Sequence, residues 1–426
     1  MANNRRGLDK VLGSQRTVSA EETIARALPV AKALGVTRLT DITGLDCVGI
    51  PTWSAIVPQS DDLLSVYNGK GMRCEDAKAG ALMEAIERQT ALRARLPLVL
   101  GSYEELRRTR QVVDPRELKE ALSPDYAETQ TCAWVEGEDL LSGRNVLVPA
   151  SFAGYFWKHL PGSACFRYSS SNGISAGNVR EEAICQALCE LIERDAWTLA
   201  ELAGHALPWA RHRLACPGNM EAAADDFDAV PSLDLEDDPA AELLTQAGLT
   251  PVLHDITSDV GVPVVYAAVA DETIPGQPMV HCGLGAHPDA RVAARRALVE
   301  AAQSRCVDIQ GVREDIDPAD RPAARSNLHT RRVRDVNRKQ WHLGRSKVCR
   351  KLEDLASAVH DNIGRDLEHI LARLRACGIG RAIVVDFTPP EAPFAVVRAI
   401  VPELEAWSLN KGALGRRALA TWQSHV

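Results

Sequence analysis

A chain of 426 residues has room for one large domain or two to three ordinary ones, and with 46% hydrophobic and 25% charged residues it has the composition of a globular protein. The formal net charge of −8 argues against sequence-independent nucleic-acid binding. No uncharged apolar run is long enough to span a bilayer and the N-terminus, M-A-N-N-R-R-G-L-D-K, lacks the apolar core of a secretory signal, so a cytoplasmic location is expected.

Ser19-Ala20-Glu21-Glu22 is a capping-box pattern, and the apolar periodicity after it predicts a helix through Leu34. Gly35 to Ile42 alternates as a strand. A further short strand is expected within Ile56 to Val66. It ends in a glycine-rich turn, Tyr67-Asn68-Gly69-Lys70-Gly71, that opens a helix containing A-L-M-E-A-I-E-R at 81–88. Residues 91–170 mix short helices and strands. A second glycine-rich turn, Ser171 to Asn178, opens a second helix with A-L-C-E-L-I-E-R at 187–194. Residues 216–238, rich in Asp, Pro and Ala, read as an exposed loop. Val262 to Val269 is the strongest strand of a following pair. Gly283 to Pro288 then leads to a looser third copy, A-L-V-E-A-A-Q-S, at 297–304. Leu352 to Ala376 reads as a helix, and Ala382 to Phe387 and Phe394 to Val401 as late strands. This order lacks a strict βαβ cadence and predicts an α+β fold: one domain over 1–426, with mixed sheets flanked by carboxylate-bearing helices and internal pseudo-repeats.

The repeats carry the chemistry. At 100° per residue, Leu188, Leu191 and Ile192 form a core-facing stripe, while Glu182, Gln186, Glu190 and Glu193 lie opposite. Glu84 and Glu87 occupy the matching stripe of the first copy, and Arg296, Glu300 and Gln303 that of the third. One such stripe is an ordinary solvated face. Acids three residues apart repel, however, and their recurrence in separate helices asks for a neutralising cation. Carboxylates beside glycine-rich helix starts suit Mg²⁺ ions bridging polyphosphate oxygens, with Arg88, Arg194 and Arg296 available to phosphate. The chain has no G-x-x-x-x-G-K-[ST], kinase glycine loop, H-E-x-x-H or G-x-S-x-G element. Residue patterns alone therefore reach a carboxylate-rich Mg–polyphosphate site of unusual type. The 11 cysteines form no C-x-x-C pair and read as reduced thiols. The basic stretch 331–351 reads either as solvated surface or as a docking site for an acidic peptide.

These stretches resemble the YcaO family. L-S-V-Y-N-G-K-G followed by E-D-A-K-A-G-A-L-M-E-A-I-E-R is similar to its first signature. S-N-G-I-S-A-G-N with E-E-A-I-C-Q-A-L-C-E-L-I-E-R-D is similar to the second, and R-A-L-V-E-A-A-Q-S-R with G-V-R-E-D to the third. Thr43 to Asp46 and Gly49 to Pro51 fit the family's early segment, so the resemblance covers nearly the whole chain. It implies ATP-dependent activation of a peptide backbone amide by O-phosphorylation, leaving an azoline, a thioamide or an amidine. The attacking group comes from the substrate or a sulfur donor, so no protein nucleophile is implied. Carried over by motif, Glu84, Glu87, Glu182, Glu190 and Glu193 are the implied Mg²⁺ ligands. Arg16, Thr23, Arg26, Ser175, Asn178, Gln186, Arg194 and Arg296 are the implied ATP contacts. The ending Ala418 to Val426 has no P-x-P-x-P tail, and no ThiF-like domain precedes the first motifs. In both respects the chain resembles members that work with a TfuA-like partner to make backbone thioamides in a ribosomally made peptide or protein, and a homodimer is expected. The alternatives are an azol(in)e-forming cyclodehydratase, a macroamidine-forming enzyme and a non-catalytic ATP-binding scaffold subunit.

Overall fold

The computed structural model describes residues 7–118, 122–157, 159–166, 170–216, 225–271, 279–311, 341–407 and 414–424. Helix α1 (Ala20–Ala33) starts where expected, with the Ser19 hydroxyl accepting from the Glu22 N–H. Strands β1 (Arg38–Asp41), β2 (Thr52–Ile56) and β3 (Val66–Lys70) form an antiparallel sheet in that order. The strand expected inside 56–66 is instead the loop between β2 and β3. There the Asp62 carboxylate and the Ser60 hydroxyl accept from backbone N–H groups of Leu63 and Asp62, local bonds that compete with a ladder.

A six-stranded sheet follows. It contains β4 (Val99–Gly101), β5 (Cys132–Asp139), β6 (Arg144–Pro149), β7 (Ile174–Gly177), β13 (Ile383–Asp386) and β14 (Ala395–Ile400). Its order is β4-β5-β13-β14-β7, with β6 also on β5, and the two late strands predicted from sequence lie at its centre. The third sheet runs β11 (Met279–Ala286), β10 (Val264–Asp271), β9 (Pro251–Asp255), β8 (Ser232–Asp234), β12 (Cys349–Lys351). All its pairings are antiparallel except β12 on β8. Strand β8 corrects the expectation of an exposed loop over 216–238. Val230, Ser232 and Leu233 are buried, because Ser232 pairs with His254 and the chain closes on the sheet. Residues 217–224 lie outside the described residues. Mixed and antiparallel sheets flanked by helices are the α+β class the sequence predicted.

Three long helices each follow a strand: α2 (Cys74–Arg93) after β3, α5 (Arg180–Glu201) after β7, and α8 (Ala290–Gly311) after β11. Strands Val66–Lys70 and Ile174–Gly177 thus occupy much of the two segments expected as glycine-rich turns. Each helix buries its apolar face in a separate core. Leu82, Ala85 and Ile86 sit in one, Ile184, Leu188 and Ile192 in another, and Ala297, Leu298 and Ala301 in a third. Each buried Leu or Ile contributes roughly 2 kcal/mol. Helix and strand approach closely: a Cβ at Gly69 would lie 1.9 Å from the Ala77 carbonyl oxygen, and one at Gly285 2.1 Å from that of Ala293. With the apolar faces committed to three cores, the polar stripes are left to face one another.

Short helices α3 (Tyr103–Leu106) and α4 (Ala150–Ala153), then α6 (Leu207–Ala215), α7 (Pro239–Gln246), α9 (Ile363–Ala376) and a last helix, Arg416–Ser424, complete the fold. Helix α9 begins eleven residues later than expected from Leu352. Leu352–Asp354 makes only one 3₁₀ turn, and the Asn362 side chain caps the helix by accepting from the Gly364 N–H at 2.9 Å. In the basic stretch, residues 331–340 lie outside the described residues. In the remainder, Arg345, Lys347 and Arg350 pair with Asp234, Asp228 and Asp255 of this same chain. Among the described residues no helix is long and apolar enough to cross a membrane, and the cysteines are free thiols.

Candidate active site

The three repeats share one local device. Glu84 Oε2 accepts from the Asn68 N–H at 3.0 Å, Glu190 Oε2 from Gly173 at 3.4 Å, and Glu300 Oε1 from Leu284 at 3.4 Å. In each case a helix carboxylate reaches back 16 or 17 residues to the approach to its own helix. The close helix–strand packing allows this. One backbone amide in each approach segment is thus engaged by the protein's own glutamate.

A cross-link joins the repeats. Glu87 on α2 accepts from the Ala176 N–H on β7 at 3.2 Å, which sets it beside Glu190. The result is a basin holding Glu84, Glu87, Glu190, Glu193 and Glu300. Burial pushes the Glu84 and Glu190 carboxyls above the usual range and Glu87 well above it, and mutual repulsion adds to the effect at Glu87. Burial, with Glu300 and Glu190 nearby, pushes Glu193 up to about 7 despite the adjacent Arg194. Glu300 goes the other way: burial would raise it, but the Lys70 ammonium, 2.6 Å from its Oε2, and Arg194 hold it down.

Two arginines border the basin. Arg88 lies 3.5 Å from Glu87 and 3.9 Å from Glu84 and donates to the Tyr155 hydroxyl at 2.8 Å. That hydroxyl in turn donates to Asp62 at 2.6 Å. Arg194 is 3.2 Å from Glu193, and its guanidinium carbon is 5.6 Å from the centre of the Trp197 ring.

The other sequence-derived residues sit where the N-terminal segment crosses the start of α5. Glu182 is fully buried and accepts from the Thr17 N–H and hydroxyl at 2.5 and 2.8 Å, and from the Asn178 N–H and side-chain amide at 2.9 and 3.2 Å. Both its oxygens are thus engaged by donors. Thr23 donates to the Asn178 side-chain oxygen at 3.1 Å. Arg296 donates to Gln186 and to the Ala286 carbonyl. Arg16 lies near both Glu182 and Arg296, and burial lowers its pKa. Ser175 is buried on β7 opposite Val397. Arg26 stands apart, exposed on α1 and paired with Glu22 one turn earlier.

Two basin residues lay outside the motif transfer. Glu300 was discoverable, because it is the repeat counterpart of Glu84 and Glu190. Lys70 had no repeat signal, since Ala176 and Ala286 occupy its counterpart positions.

The donor set fits Mg²⁺: several carboxylate oxygens in one depression suit a hard divalent cation. Among the described residues no three His, Cys, Asp or Glu side chains converge as a ready-made cage.

The family model described as YcaO cyclodehydratase, ATP- and Mg²⁺-binding, matches residues 68–405, a span that takes in all three repeats. This chain belongs to the YcaO family. Members are ATP-dependent peptide modifiers, and ATP and Mg²⁺ are the cofactors. An uncharacterized protein of Methanothermobacter thermautotrophicus is 35% identical over 385 residues, 89% of this chain and 92% of that one. An uncharacterized protein in the tfuA 3′ region of Rhizobium leguminosarum bv. trifolii is 33% identical over 393 residues, 89% of this chain and 86% of that one. The structure of YcaO from Methanopyrus kandleri, bound with AMPPCP and Mg²⁺, superposes with a TM-score of 0.71 at 24% identity. It covers 96% of this chain and 99% of that one, and shows the same fold.

Proposed function

We propose that this YcaO protein activates a peptide backbone amide by O-phosphorylation and installs a thioamide, acting with a TfuA-like partner on a ribosomally made peptide or protein. The observation that carries the reading is the meeting of Glu84, Glu87, Glu190 and Glu193 between two arginines. An amide is a poor electrophile, and its oxygen a poor leaving group. Mg–ATP supplies the phosphoryl group that makes that oxygen able to leave. In this reading Glu84, Glu87, Glu190 and Glu193 would hold Mg²⁺, while Glu182, whose two oxygens accept from Thr17 and Asn178, would fix the N-terminal segment beside the nucleotide. Arg88 and Arg194 offset charge on the transferred group. Arg16, Thr23, Ser175, Asn178, Gln186 and Arg296 position the nucleotide, whereas Arg26, exposed and paired with Glu22, lies apart from them. Sulfur from an external donor attacks the carbonyl carbon, and the amide oxygen leaves with the phosphate.

The thioamide branch is supported by the relative in a tfuA region. Azoline formation is the second reading, because the matching family is described as a cyclodehydratase. Intact-mass analysis decides between them, using a candidate peptide with this protein, ATP, Mg²⁺, sulfide and a TfuA-like protein. A mass gain equal to oxygen replaced by sulfur supports thioamidation. Loss of one water replaces that reading with cyclodehydration or amidine formation.

A further inference from the structure

Lys70 ends β3, and its ammonium lies 2.6 Å from Glu300 Oε2, joining the first repeat to the third across 230 positions of sequence. The pair reaches solvent, both side chains being 27% exposed. Two features set this contact apart from the other cation–carboxylate contacts of the basin. It breaks the repeat, since alanines stand at the counterpart positions 176 and 286. And Lys70 is a point charge on a flexible four-carbon stem, whereas Arg88 is held by Tyr155 and Arg194 lies over Trp197. Glu300 meanwhile occupies the repeat position of Glu84 and Glu190, with its other oxygen on the Leu284 N–H.

We propose that Lys70 is a displaceable internal counter-ion: it competes with bare Mg²⁺ for Glu300, and it transfers to a phosphate oxygen when the metal arrives with nucleotide. A cluster of like charges would otherwise collect divalent cations indiscriminately. With Lys70 on Glu300, a metal alone must displace an ion pair. A metal with polyphosphate gives the ammonium a new partner, so the site selects the complex over its parts. The inference rests on the basin being the Mg–nucleotide site. It does not depend on which bond the enzyme makes afterwards.

The test uses the full chain, without peptide or sulfur donor, and Mn²⁺ as a paramagnetic probe read by electron paramagnetic resonance. Binding is measured with and without a non-hydrolysable ATP analogue, for wild type, Lys70→Met, Lys70→Gln and Lys70→Arg. Removing the charge should tighten binding of Mn²⁺ alone by about ten-fold and weaken the metal–analogue complex by about ten-fold, on the scale of one partly exposed ion pair. Lys70→Arg should bind Mn²⁺ alone no more tightly than wild type. Circular dichroism selects the folded variants, and either neutral substitution suffices. Mn²⁺ binding that is unchanged or weaker in a folded neutral variant overturns the proposal. So does a lowered melting temperature without tighter metal binding, which would mark a purely structural tie between β3 and α8. Because no peptide is present, this result is independent of whether the product is a thioamide.

Discussion

Glu87 on α2 accepts a hydrogen bond from the backbone N–H of Ala176 on β7 at 3.2 Å, so the helix of one repeat is fastened to the strand of the next. That contact holds a carboxylate from α2 beside Glu190 on α5, and it keeps two like charges together in a half-buried place. A protein gains no stability from such an arrangement, so the basin is best understood as a site prepared for cations.

The first prediction follows from that conflict. Glu87→Gln retains an oxygen to accept from Ala176 and removes one of the repelling charges. Glu190→Gln does the same opposite it. Each variant should keep or raise the metal-free melting temperature, by up to about 5 °C, while Mg-dependent ATP turnover falls by about a hundred-fold. Calorimetry and a phosphate-release assay on the same preparations check both. A large loss of stability together with activity would show that these glutamates serve the fold.

The pH dependence of stability has a definite sign. Burial lifts the Glu193 carboxyl from its ordinary 4.5 to about 7, so the folded chain holds this proton more tightly than the unfolded one. Stability from this group is fully present below about pH 4.5 and is lost as pH rises through about 7, a decline of about 1–3 kcal/mol in the metal-free protein. Glu84, Glu87 and Glu190 shift in the same direction. Thermal melts between pH 5 and 8 (a range set by these shifts) should therefore show declining stability without ligand and a much flatter profile with Mg–ATP analogue. Stability that rises across this window in the metal-free protein would contradict the account.

Glu182 should behave differently from the basin glutamates. Its two oxygens take four donors from Thr17 and Asn178, and it is fully buried. Glu182→Ala strands those donors and should cost about 2–4 kcal/mol of stability even without metal. Denaturant unfolding without ligand measures this. A variant as stable as wild type would show that the N-terminal segment does not depend on this carboxylate.

Much of the basin was legible because its signal is local and repeated. Glu84, Glu87, Glu190 and Glu193 fall on helix faces that a 3.6-residue period can identify, and Ser19 starts α1 by a short-range cap. What stayed hidden depends on pairings between distant segments. The Glu87–Ala176 and Lys70–Glu300 contacts span 89 and 230 positions, and no periodicity points to either. Strand β8 escaped because Ser232–Asp234 is short and becomes a strand only through β9 and β12. The late start of α9 reflects a cap at Asn362 that overrides the helical pattern upstream. The Arg88–Tyr155–Asp62 chain also joins three unconnected parts of the sequence.

That chain supports the last prediction. The Tyr155 hydroxyl accepts from Arg88 and donates to Asp62, so it fixes the guanidinium beside Glu84 and Glu87. Tyr155→Phe leaves the aromatic ring and Arg88 itself in place but removes that tether. If Arg88 acts on charge that develops only during phosphoryl transfer, turnover should fall by about ten-fold with little change in KM for ATP. Stability should fall by about 2–3 kcal/mol, the scale of the two hydrogen bonds that the hydroxyl makes to charged partners. Arg88→Lys removes the planar contact from the other side, so the double variant should lose little more than the worse single one. Steady-state kinetics on the four proteins of this cycle give the answer. Fully additive losses would mean that Tyr155 and Arg88 act separately, and the tether would then have no part in positioning the guanidinium.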